Sequence, residues 1–102
     1  MDRPEDFASA VRPDEIFGAA FERDDETAYF YLLDLTRPEG KQIVGALNLT
    51  AHVASSGGVD VRWSSTGEAV GLFASEVLVA IYPDMSTPTG RLAATTDQGL
   101  FA

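Results

Sequence analysis

The sequence predicts a mainly β fold: a single antiparallel sheet of six or seven strands, curled or sandwich-like, with at most one short helix. Three observations lead there. Val59, Val61 and Trp63 alternate with Asp60, Arg62 and Ser64, the period-two rhythm of a strand with one apolar face. Residues 69–74 and 77–82 are continuous apolar runs too short for typical helices, and the second is built from Val77, Val79, Ile81 and Tyr82, all β-favouring types. Finally, residues 27–33 gather a threonine, two tyrosines and a phenylalanine in one short segment.

Taken in order, residues 1–14 hold prolines and charges around Phe7 and Val11 and read as a loosely held N-terminal arm. Residues 15–22 form the first expected strand, with Phe17, Ala19 and Phe21 on one face. The charged tetrad Arg23, Asp24, Asp25, Glu26 then makes the tip of a hairpin leading into 27–33. Pro38 and Gly40 mark a loop. Residues 41–53 admit an amphipathic helix through Ile43, Val44 and Leu47. The alternation of Leu47, Leu49, Ala51 and Val53 with Asn48, Thr50 and His52, and Gly45 in the would-be helix interior, favour a strand. Residues 54–58 are loop.

The meander 59–84 is the centre of the reading. It turns at Ser64, Ser65, Thr66 and Gly67, turns again at the two-residue step Ser75-Glu76, and stops at Pro83. Trp63 is expected to anchor the core, since aromatics dominate burial energetics. Residues 91–96 read as a short edge strand and 97–102 as a tail, so that residues 15–96 constitute one β-rich domain.

Composition narrows the function classes. With 102 residues and 45% apolar content the chain suits one core, not two. It has no cysteine, which removes disulfides, thiolate metal sites and cysteine nucleophiles together. Sixteen acidic residues against seven basic ones give a net charge of −9, which repels phosphate backbones, so no nucleic-acid partner is expected. No apolar run reaches membrane-spanning length and no N-terminal run resembles a signal peptide; no membrane partner and a cytoplasmic location are the expectation.

Phe21-Glu22-x-Asp24-x-Glu26-Thr27-x-Tyr29-Phe30-Tyr31, then Ile43-Val44-x-Ala46-Leu47-x-Leu49, then Trp63-Ser64-x-x-Gly67, resembles a family of short bacterial proteins catalogued only as a domain of unknown function. The resemblance spans roughly residues 16–84. It implies a β-rich bacterial domain and carries over no catalytic residue or cofactor. Where a glycine is expected at the hairpin tip, this chain has Asp25.

Chemistry-bearing residues are few. The sole imidazole, His52, would need Ser55 or Ser56 and a carboxylate to make a nucleophilic site, yet no Gly-x-Ser-x-Gly elbow is present. Asp24, Asp25 and Glu26 lack the alternate spacing and glycine of a calcium loop, so no metal or other cofactor is assigned. Tyr29 and Tyr31 share a strand face that, left uncovered, would suit a partner or a second copy. The expected function is therefore a non-enzymatic protein-interaction module, with Tyr29, Tyr31, Asp24, Asp25 and Glu26 as its contact residues. Its expected partner is a second copy in a homodimer or a basic protein. The alternative is a small ligand-binding or hydrolytic β-barrel using His52 and nearby carboxylates.

Overall fold

A computed structural model describes residues 6–52 and 58–101. Its strands are β1 (Asp6–Val11), β2 (Phe17–Arg23), β3 (Ala28–Asp34), β4 (Ile43–Asn48), β5 (Val59–Trp63), β6 (Val70–Ala74), β7 (Val77–Tyr82) and β8 (Arg91–Leu92), followed by a 3₁₀ helix over Thr95–Phe101. The mainly β, antiparallel character expected from the alternation holds. The single sheet does not: β1-β2-β3-β4 form one four-stranded sheet and β5-β6-β7-β8 another. Local alternation tells each strand which side is greasy, but says nothing of whether β4 and β5 hydrogen-bond to each other.

The first sheet is a meander whose register puts Ala8, Phe21, Phe30 and Leu47 in one cross-strand row. These residues face Val61, Leu72 and Ala80, a row of the second sheet, and both rows belong to one hydrophobic core. At its centre the Tyr82 and Phe30 rings lie 5.1 Å apart, and Tyr82, Phe21 and Phe30 are the largest fully buried side chains. Trp63, expected as the anchor, is only partly buried at the margin of this core. Its position at the end of β5 places the ring beside β1, where Nε1 donates to the Ala10 carbonyl oxygen at 3.2 Å.

Other expectations are revised at the ends of the chain. Residues 6–11, read as part of a loose arm, pair along their whole length with β2. The last strand is Arg91–Leu92 alone, because the chain then winds into the 3₁₀ helix where strand and tail were expected. Asp97 ends buried there, accepting from Arg91 Nη1 and Nη2 (2.7 and 3.0 Å) and from the Ala94 amide at 2.6 Å. The segment 41–53 is a strand over Ile43–Asn48 and not a helix; His52 lies beyond it in a turn, and Val53 and most of the loop expected at 54–58 lie outside the described residues.

Aspartates close many of the turns. The Asp34 carboxylate accepts from the Thr36 amide and hydroxyl, and Asp84 does the same for Ser86. Asp14 accepts from the Ile16 amide, and Asn48 serves Thr50 in the same way. Such side chains mimic a backbone turn. Part of the acidity that dominates the composition is thus employed in chain reversal.

Candidate interaction face

The two sheets treat their outer faces differently. On the second sheet, the outward residues Gly71, Phe73, Leu78 and Ile81 are buried, although they lie outside the main core. The end of the 3₁₀ helix packs on this face: the Phe101 ring meets Phe73 edge-on at 5.3 Å, and a Cβ on Gly71 would lie 2.8 Å from Phe101 Cζ. No described strand or helix lies over the outer face of the first sheet, although the Leu35 side chain reaches onto it at Gly18, its Cδ1 3.5 Å from where a Cβ would stand.

That uncovered face consists of three registered rows. Phe7, Glu22, Tyr29 and Asn48 form the row next to the β2–β3 tip; Ser9, Ala20, Tyr31 and Ala46 form the middle row; Val11, Gly18, Leu33 and Ile43 form the third. Phe7, Val11 and Ile43 are 57%, 56% and 57% exposed, unusual for large apolar side chains gathered on one face. Tyr29 and Tyr31, two apart on β3, stack with centroids 5.8 Å apart and planes 12° from parallel. The Tyr31 phenol pKa is pushed up by burial and, secondarily, by the Glu22 carboxylate, and Asn48 donates to the Tyr29 hydroxyl at 3.4 Å. Glu22 is the one charged member of these rows, and it makes no ion pair among the described residues.

The acidic residues singled out in the sequence divide. Asp24 is occupied: its Oδ1 accepts from the Glu26 and Thr27 amides, each at 2.8 Å, and these bonds hold its pKa below the ordinary carboxylate value. This side-chain turn closes the hairpin with no positive φ at Asp25, which explains how the tip dispenses with the glycine expected there. Asp25 and Glu26 project exposed beyond the Glu22 row. His52 sits exposed on the turn after β4, its amide bonded to the Leu49 carbonyl at 2.8 Å. Ser55 and Ser56, weighed as its nucleophile partners, lie outside the described residues. Among the described residues no group of His, Asp and Glu side chains is arranged to hold a metal, and no helix is long and apolar enough to cross a membrane.

Sequence reasoning missed Arg12. Its guanidinium pairs with both Asp14 oxygens (2.7 and 3.0 Å), donates to the Gly67 carbonyl at 3.0 Å, and lies over the Phe17 and Trp63 rings at 4.9 and 5.8 Å. Two open grooves border it, of about 610 Å³ beside Val11, Glu15 and Leu35, and about 410 Å³ beside Glu68, Asp84 and Met85. Neither groove is lined by His52. Because Arg12 is already engaged with Asp14, Gly67 and both rings, it is a clasp between the sheets.

This clasp accounts for the Trp63-Ser64-x-x-Gly67 unit. Trp63 bonds β1, the Ser64 hydroxyl accepts from the Ala69 amide at 3.1 Å to close the loop, and Gly67 adopts φ +77° with the Arg12 Cδ 3.0 Å from where a Cβ would stand. The spacing is a structural device. No curated protein and no solved structure matches the chain. A family model does, over residues 4–90 and therefore through β1 to β7 and all three blocks of the sequence resemblance. The chain accordingly belongs to the family described as an uncharacterized protein conserved in bacteria (DUF2251).

Proposed function

We propose that this chain is a non-enzymatic protein-interaction module that docks a basic protein partner on the outer face of its first sheet. One observation carries the reading: of two outer faces in the same fold, the chain's own C-terminal helix covers one, and the other keeps Phe7, Val11 and Ile43 in solvent beside the stacked tyrosines. Exposing that apolar area costs solubility, and partner burial recovers it. Charge selects the partner. Glu22 lies within the face, Asp25 and Glu26 lie at its end, and the chain carries −9 overall, so a second copy would meet its own sign whereas a basic surface is attracted.

The test is site-specific photo-crosslinking in bacterial cells, with a benzoyl-phenylalanine placed at Tyr31 or Ile43 and, as controls, at Ser65 or Glu68. The expected result is one adduct shared by the two face positions, identified by mass spectrometry as a protein with a basic contact segment. Adducts only between copies of this chain would assign the face to a homodimer. Yields no higher than at the control positions would reject docking on this face.

A further inference from the structure

Resting on that docking role, we infer that Glu22, framed by Phe7, Tyr29 and Tyr31, is a receptor for an arginine or lysine side chain of the partner, and that the third row takes the partner's aliphatic residues. Phe7 and Tyr29 are the direct cross-strand partners of Glu22 on either side, and Tyr31 is the next outward residue along β3. Directly opposed side chains stand about 5 Å apart at Cβ, so the carboxylate is flanked by a phenyl ring and a phenol. A cation seated there gains an ion pair with Glu22 and the negative π-faces of the rings together, which a neutral residue of the same shape does not. The tyrosine pair supplies a flat, doubled wall, its rings only 12° from parallel. Glu22 is available for this, having no ion pair among the described residues, whereas Asp24 is tied into its own turn.

The face is also graded. Aromatic and acidic groups lie at the end near the β2–β3 tip, and Val11, Leu33 and Ile43 lie four residues further along β3, roughly 14 Å at the rise of an extended strand. The segment that fits is amphipathic, with a cationic side chain at one end and branched aliphatic ones at the other. A face-to-face second copy supplies no cation for Glu22, since the charged member of its matching rows is another glutamate.

The experiment is an amide NMR titration of the full chain with the peptide acetyl-Leu-Ala-Leu-Ala-Arg-Ala-Arg-amide and with its citrulline counterpart, which keeps the shape and removes the charge. Saturable shifts confined to the outer face of β1–β4, at least tenfold weaker binding of the citrulline peptide, and at least fivefold weaker binding of the arginine peptide to Glu22→Gln are expected. Glu68→Gln removes the same charge from the β5–β6 loop and is expected to leave the Kd unchanged. Equal weakening by both substitutions reduces the effect to net charge and overturns the receptor. So do shifts confined to Asp25 and Glu26, or equal affinity for the two peptides. Face-specific crosslinks that persist alongside any of these results retire the cation site alone, whereas loss of the crosslinks retires the docking reading with it.

Discussion

The Tyr82 phenol crosses the core and donates to the Phe30 carbonyl oxygen at 2.5 Å, joining β7 of one sheet to β3 of the other. Replacing Tyr82 by Phe removes this buried hydrogen bond while keeping the ring, and should destabilise the protein by about 1–2 kcal/mol in urea unfolding. Burial raises the phenol pKa above its ordinary 10.0. The neutral form is the one the fold holds, so this contribution is intact below pH 10 and declines as pH rises above it. Tyr82→Phe should flatten the alkaline loss of stability; an unchanged alkaline profile would mean that another group sets it.

Gly45 should not tolerate alanine. A Cβ there would stand 2.8 Å from the Pro88 carbonyl oxygen and 2.9 Å from Tyr82 Cε1, and a Cβ on Gly90 would likewise meet Tyr82 Cε1 at 2.9 Å. The ring packs against both glycines, and one obstacle at Gly45 is backbone. Gly45→Ala should cost about 1–3 kcal/mol by overpacking, measured by thermal or urea unfolding. A neutral outcome would show that the β7–β8 loop yields freely.

The β6–β7 hairpin offers a gain. Ser75 and Glu76 sit at φ +50° and +69°, the left-handed pair of a primed turn, with neither of the residues that such turns prefer. The double change Ser75→Asn, Glu76→Gly should stabilise the protein by about 1 kcal/mol, because the left-handed region is disfavoured for ordinary side chains. It also removes the Glu76 pairing with Arg62 at 3.1 Å, an exposed contact of small consequence. No gain in the urea midpoint would show that this contact, which sits where Arg62 covers Phe73 at 4.4 Å, holds the hairpin.

Acid should detach the C-terminal helix. The Arg91 pair, and then the Ala94 amide, hold the Asp97 pKa below its ordinary 3.8. A depressed carboxyl contributes stability above its unfolded value and loses it as pH falls toward the folded one, so the loss sets in below about pH 4. The Phe73 and Phe101 ring-proton shifts, set by their edge-on contact, should collapse toward free values in that range, and Asp97→Asn should reproduce the change at neutral pH. Asp14, Asp24, Asp34 and Asp84 are depressed as well, each by the hydrogen bonds of its own turn or, for Asp14, first by Arg12, so overall stability should also fall with acid.

Of the candidate face, Tyr29 and Tyr31 were legible because two aromatics spaced by two must share one side of a strand. Glu22 was not. Its standing depends on Phe7 lying opposite, and Phe7 belongs to a segment whose two prolines and several charges read as an arm; only pairing with β2 makes it a strand. Arg12 was hidden for the same reason, its partners Gly67 and Trp63 being more than fifty residues away in sequence.

The sequence by itself determined the β class, the central strands and the turns between them, since side-chain alternation and local turn chemistry are properties of neighbouring residues. Tertiary structure alone decided that the strands divide into two sheets, that Tyr82, Phe21 and Phe30 fill the centre while Trp63 closes the margin, and that one outer face is roofed and the other bare. A period of two marks opposite sides of a strand without naming what each side meets, and that choice is made by contacts between residues far apart along the chain.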